Sequence, residues 1–201
     1  MRIPQFTSQA DACARVCAIA LGFSIPISVA LDNILLALLL ASWLASGDFR
    51  NKITAIRANP VALAALALFG LLALGLAYGT RNPGDGLLYL GKYLDLLFVP
   101  VFVASFQSQQ TRDDALKAFG GALLLSLTVS HLAHQGLLFL NPLAPHNPDV
   151  PGGFKYSITH GLLMSFSAFA FALFARDETR RGCRIALGGL ALVAAHNVLF
   201  V

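Results

Sequence analysis

Long apolar runs alternate with short polar segments along the chain, and this alternation predicts its structural elements. Seven runs qualify as membrane-spanning helices, for which about 20 apolar residues are usual, although the first is short. The run at 61–78 is the clearest, because its 18 residues carry no charge. We therefore expect an all-α, polytopic bundle of transmembrane helices. The predicted spans are approximately 12–25, 27–45, 61–78, 87–106, 116–140, 156–175 and 185–201.

Composition agrees with this class. The chain is 57% hydrophobic and only 12% charged, whereas soluble domains carry roughly 25% charged residues. A soluble protein this apolar would lack the polar side chains that cover a surface. The basic residues are not interleaved with aromatic ones, so we expect membrane lipids as partners and no nucleic acid.

The basic residues orient the predicted bundle. If the runs are spans, eleven of the 14 Lys and Arg residues fall on one side, mostly in the segments 47–60, 107–115 and 176–184. The positive-inside rule makes that side, and with it the N-terminus, cytoplasmic. Arg81, Lys92 and Lys155 are the exceptions on the outer side. Four tyrosines at outer span ends fit an interfacial aromatic belt: Tyr78, Tyr89, Tyr93 and Tyr156.

The last apolar run continues to Val201 without a polar tail. We therefore expect residues 1–201 to be the N-terminal transmembrane region of a longer membrane protein. A complete seven-span protein is the alternative.

Charged residues near the outer end of the fourth span form the first candidate site. Asp95 would lie roughly 12 Å inside that span, and a carboxylate at such depth suggests a functional role unless it is paired. Lys92, three residues earlier, offers the alternative of a local ion pair that lets the helix insert. Pro100 is predicted to kink the span and open a cavity at this level.

Two further charges belong to the same outer mouth. Arg81 lies in a glycine-rich loop, where a guanidinium beside exposed backbone amides suits a phosphate or diphosphate. The alternative for Arg81 is contact with lipid headgroups. Asp32 would meet Arg81 or Lys92 across the bundle, or simply cap a helix.

Other polar and small residues suggest packing instead of chemistry. His131 and His134 form an H-x-x-H pair without a nearby carboxylate, which favours interhelical hydrogen bonds over a metal site. His146, Lys155 and His160 lie in or beside the outer loop at 141–155, as a substrate rim or a plain connector. A G-x-x-x-G pair predicts close helix packing at Gly75 and Gly79. We expect no metal and no cofactor.

Two segments carry a resemblance to a known family. Residues 91–100, Gly-Lys-Tyr-Leu-Asp-Leu-Leu-Phe-Val-Pro, follow the outer loop that contains Arg81. This segment resembles the N-terminal half of the bacterial O-antigen ligase (WaaL) family, which is related to Wzy-type O-antigen polymerases. Residues 154–161, Phe-Lys-Tyr-Ser-Ile-Thr-His-Gly, resemble the same family. Elsewhere the likeness is mainly one of hydropathy and topology, and it covers most of the chain.

The resemblance implies a metal-independent glycosyltransferase of the multi-span C-type class in the bacterial inner membrane. Such ligases transfer O-antigen polysaccharide from undecaprenyl diphosphate to lipid A–core at the periplasmic face, in lipopolysaccharide assembly. In that family, the diphosphate-binding arginines and the histidine that acts as base lie mainly in a large periplasmic loop between later spans. The catalytic residues are therefore unknown and expected beyond Val201, so the fragment alone would be inactive. By analogy, Arg81 and Lys92 bind the substrate diphosphate, with Asp95 and Asp32 in support.

Two other functions remain open. A Wzy-type polymerase would use the same donor with another lipid-linked glycan as acceptor. A small-solute transporter or membrane interaction subunit would use Asp95 as an ion-coupling carboxylate.

Overall fold

A computed structural model describes residues 3–79, 83–137 and 157–199. All regular secondary structure in these ranges is helical, which confirms the all-α prediction. A short 3₁₀ helix, Leu94–Leu97, follows α5. The α-helices are α1 (Ile3–Ser24), α2 (Val29–Ala45), α3 (Phe49–Ala58), α4 (Pro60–Gly79), α5 (Pro83–Gly91), α6 (Phe98–Ser105), α7 (Gln109–His134), α8 (Ser157–Asp177) and α9 (Arg181–Asn197).

Two helices are long and apolar enough to cross a membrane: α7, and α8 from Ile158 to Asp177. Two bent pairs raise the number of candidate spans to four. One pair is α2 with α3, bent by 117°, and the other is Gly84–Gly91 with Leu94–Ser105, bent by 51°. A shorter apolar helix covers Pro60–Leu76. The described part of the chain is thus all-helical, with two to four candidate membrane spans.

The chain divides into two compact units, and each has its own packing. Unit 1 comprises Met1–Ile19 and Ile34–Asp114, and unit 2 comprises Ala20–Asn33 and Ala115–Val201. In unit 1, α4 packs against α3, α5, α6 and the 3₁₀ helix. In unit 2, α7, α8 and α9 share an apolar core made by Leu123, Leu127, Met164, Phe171, Ala191 and Ala194.

The predicted fourth span is broken upstream of Pro100, not kinked at it. Amide hydrogen bonds tighten to the i−3 pattern at Lys92 and Tyr93, which donate to the carbonyls of Tyr89 and Leu90. Pro100 then lies in the first turn of α6, where a missing N–H leaves no hydrogen bond unmade. Because a proline ring clashes with the carbonyl four residues earlier, the helical discontinuity falls before Pro100.

The predicted fifth span ends earlier than residue 140. Helix α7 stops at His134, and Gly136 has a φ of +72°. Gly136 N–H donates to Ala133 O at 3.0 Å and Leu137 N–H to Leu132 O at 2.9 Å. These two bonds form a Schellman C-cap, which needs a left-handed residue that glycine adopts without steric cost. A Gln-Gly step inside an apolar run therefore terminates the helix.

The close-packing glycine is Gly22 and not Gly75. A Cβ added to Gly22 would lie 2.7 Å from the backbone oxygen of Ala115, so α1 and α7 approach within unit 2 only because no side chain intervenes. A Cβ at Gly75 would meet nothing within 4 Å in the described residues, so no close packing is seen at Gly75 itself. Gly79 is not described at side-chain level.

Candidate functional site

Lys92 and Asp95 lie at the helix break of unit 1, and both are exposed. The ammonium of Lys92 lies 4.9 Å from the ring centroid of Tyr89, within cation–π distance. No ion pair joins Lys92 to Asp95 in this described segment, so the local pair considered from the sequence is not formed. A continuous α-helix would bring the side chains at i and i+3 together, whereas the 3₁₀ turn at Leu94–Leu97 redirects Asp95.

Asp32 belongs to unit 2, where its carboxylate accepts a hydrogen bond from Ser24 Oγ at the end of α1. The side chain that caps α2 is instead Ser28, whose Oγ accepts the Leu31 amide at 3.4 Å. Asp32 therefore joins two consecutive helices and also places a negative charge in the first turn of α2, where the helix dipole favours it.

Three residues of the predicted outer rim, Arg81, His146 and Lys155, lie outside the described residues. The meeting of Asp32 with Arg81 or Lys92 stays a prediction. His134 is exposed at the end of α7.

A buried polar network in unit 2 is the site that the sequence reasoning did not assemble. It consists of Ser126, Ser130 and His131 on α7, His160 on α8 and Asn197 on α9. The side chains of Ser126, Ser130, His160 and Asn197 are fully buried. Asn197 and Ser130 are 67 residues apart in the chain, yet the Asn197 amide nitrogen lies 3.0 Å from Ser130 Oγ. The polar network therefore ties three helices together at one level.

The hydrogen bonds of the network fix the histidine tautomer. Because Asn197 Oδ1 only accepts, His160 Nε2 at 3.0 Å must donate the proton. In the neutral ring Nδ1 is then the acceptor, and it faces Ser126 Oγ at 3.5 Å. Each nitrogen of the buried imidazole thus has a partner of suitable polarity without a charge on the ring.

His131 adds an interhelical contact of the kind predicted for it. Its Nδ1 lies 3.3 Å from the Asn197 amide nitrogen and 3.2 Å from the Leu127 carbonyl oxygen of its own helix. One nitrogen cannot accept from Asn197 and donate to Leu127 at the same time. His131 also lies beside His196, with 6.3 Å between the ring centroids.

A local signal for this network was present but incomplete. Ser126 and Ser130 are four residues apart and therefore share a face of α7. His160 lies in the segment that resembles the O-antigen ligase family. Asn197, which contacts three members of the network, lies in the last apolar run and was not predicted as a site residue.

Within the described residues, no group of three or more His, Cys, Asp or Glu side chains is arranged to hold a metal ion. The polar network offers one amide group, hydroxyls and imidazoles, a set suited to hydrogen bonding. No protein family, characterised protein or solved structure matches the chain.

Proposed function

We propose that this chain is the N-terminal membrane region of an O-antigen ligase. The complete protein transfers O-antigen polysaccharide from undecaprenyl diphosphate to lipid A–core, with no metal or cofactor. In this proposal the seven apolar segments cross the bacterial inner membrane, the N-terminus is cytoplasmic and the reaction takes place at the periplasmic face. Catalytic groups beyond Val201 complete the site.

The observation that carries the proposal is the position of the Lys92 ammonium and its lack of a carboxylate partner among the described residues. This ammonium is exposed at a break between two apolar helical segments. An exposed ammonium with no competing carboxylate among the described residues can donate charge-assisted hydrogen bonds to an anionic group of a lipid-linked substrate. This arrangement occurs in one of the two segments that resemble the ligase family.

Magnitudes favour capture of an anion over the contact seen with Tyr89. An exposed cation–π contact contributes about 0.5–1 kcal/mol, whereas a charge-assisted hydrogen bond contributes about 1.5–3 kcal/mol. A diphosphate would therefore draw the Lys92 ammonium away from the ring. Neutralising charge on the diphosphate lowers the barrier to its departure when the sugar is transferred.

The polar network supports the same proposal from unit 2. His160 lies in the second resembling segment, and its two ring nitrogens face Asn197 and Ser126. A buried network of this kind holds α7, α8 and α9 at one relative register. We infer a positioning role for it, in which it keeps the membrane region rigid around the substrate lipids.

Lipopolysaccharide profiles of cells that carry full-length variants test the proposal. Lys92→Ala should lower attachment of O-antigen to lipid A–core about 10- to 100-fold at limiting donor, the effect of one charge-assisted hydrogen bond. Lys92→Arg should retain most transfer, and Arg81→Ala should also lower it. Arg180→Ala removes an equal charge elsewhere and should leave the profile unchanged. Unchanged profiles for Lys92→Ala at equal expression would remove Lys92 from the site.

The same profiles distinguish a ligase from a polymerase. A defective ligase leaves lipid A–core bare while polymerised O-antigen accumulates on undecaprenyl diphosphate. A defective polymerase leaves lipid A–core carrying single repeat units. We expect the first pattern for Lys92→Ala.

A further inference from the structure

The chain turns sharply between α2 and α3. The two helix axes are bent by 117°, and Gly47 and Asp48 both lie in the left-handed region, with φ values of +67° and +49°. Glycine adopts that conformation freely, and aspartate is among the residues that tolerate it best. If α2 crosses the bilayer, a helix that leaves it at such an angle runs close to the plane of the membrane surface.

Lys52 of α3 holds this corner together. Its buried ammonium donates to the Trp43 carbonyl oxygen at 2.6 Å and to Ser46 Oγ at 2.5 Å. The same ammonium lies 4.7 Å from the Trp43 ring centroid. Trp43 and Phe49 pack edge to face, with centroids 5.9 Å apart. The inward face of α3 is thus fixed against the end of α2.

An adjoining side of α3, which we name its outer face, carries Phe49, Arg50, Ile53 and Arg57; Phe49 lies at the border, where it also contacts Trp43. Phe49, Ile53 and Arg57 follow one another at intervals of four, and Arg50 lies beside them, so all four occupy one side of the helix. Phe49 and Ile53 are each 45% exposed. Both guanidinium groups are exposed and have neither an ion pair nor a side-chain hydrogen bond in the described residues.

We propose that the outer face of α3 binds anionic phospholipid headgroups of the cytoplasmic leaflet. Phe49 and Ile53 enter the boundary between headgroups and acyl chains, while Arg50 and Arg57 donate hydrogen bonds to lipid phosphates. Charge supports this occupant, because α3 belongs to a basic segment and the leaflet beside it is negatively charged. The inference uses the proposed membrane orientation but not glycan transfer.

Depth measurements on the full-length protein in nanodiscs test the binding. Cys13, Cys17 and Cys183 are replaced by Ala, as is any later cysteine, and one spin label is introduced by Ile53→Cys or Ala58→Cys. Ala58 is exposed about 140° around the same helix from Ile53 and serves as the control. The label at 53 should collide more with oxygen than with a water-soluble nickel complex. The label at 58 should show the reverse.

Lipid composition and charge then identify the ligand. Adding phosphatidylglycerol to phosphatidylcholine nanodiscs should move the label at 53 deeper into the bilayer, so that its collisions with oxygen increase relative to those with the nickel complex. Arg50→Gln/Arg57→Gln should weaken this response on the order of tenfold or more, whereas Arg180→Gln/Arg181→Gln should not. Equal accessibility at 53 and 58, or no response to phosphatidylglycerol, would overturn the proposal. A label at 53 shielded from both reagents would overturn it in favour of a protein contact. These measurements contain no glycan and do not depend on transfer activity. The lipid-binding proposal is therefore tested independently of the ligase assignment.

Discussion

His160 on α8 donates a hydrogen bond from Nε2 to Oδ1 of Asn197 on α9 across 3.0 Å. The two residues are fully buried and 37 positions apart in the chain. Since both helices are largely apolar, this pair and its neighbours on α7 supply directional contacts that apolar packing lacks. The pair therefore selects one register of the three helices.

The first prediction concerns the energy of that pair. His160→Leu and Asn197→Leu should each lower the free energy of unfolding by about 1–3 kcal/mol, because each leaves a buried polar partner unsatisfied. The double variant should be more stable than the sum of the two losses implies, by about 1 kcal/mol. Unfolding in mixed micelles with increasing denaturing detergent measures all three.

Ser167→Ala is the control for this cycle. Ser167 is also fully buried, but its hydroxyl bonds to the Leu163 carbonyl of its own helix at 2.7 Å. Its replacement should change stability by less than about 1 kcal/mol, since no other helix loses a partner. Strict additivity of the two leucine substitutions would contradict a coupled pair.

Gly22 gives the second prediction. Gly22→Ala places a methyl carbon 2.7 Å from the Ala115 backbone oxygen, so α1 or α7 must move, at about 1–3 kcal/mol of stability. Gly120→Ala, within α7, meets nothing within 4 Å and should be neutral or stabilising, by up to about 1 kcal/mol. Thermal melting of the purified variants compares them. Equal effects at the two positions would show that α1 and α7 are not in close contact.

Lys52 yields a pH dependence. Burial lowers the pKa of its ammonium, and the charges of Asp11 and Asp48 oppose that shift. Between the lowered pKa of the folded state and the ordinary value of the unfolded chain, unfolding takes up protons, so stability rises with pH. The melting temperature of the wild type relative to Lys52→Met should therefore increase through the alkaline range. A constant or falling difference would contradict the direction of the shift.

Orientation is tested by labelling single cysteines in a cysteine-free background. Asp85→Cys lies at the exposed start of α5 on the predicted outer side, and Arg180→Cys lies on the predicted inner side. A membrane-impermeant maleimide added to intact spheroplasts should modify position 85 and not position 180. The reverse pattern would invert the membrane topology and, with it, the leaflet that α3 contacts.

Hydropathy predicts the helices well because each apolar run carries its own signal. The long run at 61–78 is contained in α4, and those at 27–45 and 156–175 largely match α2 and α8. Helix breaks are harder to predict from hydropathy, because the bend before Pro100 and the cap at Gly136 each depend on single residues inside apolar sequence.

The candidate sites likewise divide into features with a local sequence signal and features that depend on helix packing. Lys92 was singled out by its unusual charge, and the structure places it at an exposed break. The relation between His160 and Asn197 has no local signature, because it depends on how α8 and α9 pack. Charge alone identified the basic segment at 47–60. That Lys52 is buried and Arg57 is exposed could be seen only once the segment was known to form helix α3.

Glycan transfer by the purified full-length protein is the most direct measurement of the proposed function. The protein, reconstituted without metal or nucleotide, is mixed with O-antigen on undecaprenyl diphosphate and with lipid A–core, and products are resolved by mass. We predict lipid A–core carrying the glycan, with one undecaprenyl diphosphate released for each glycan transferred. Loss of both products in the Lys92→Ala protein at limiting donor would link the reaction to the helix break. No transfer by the wild type, or transfer only to a second carrier-linked glycan, would contradict the ligase assignment.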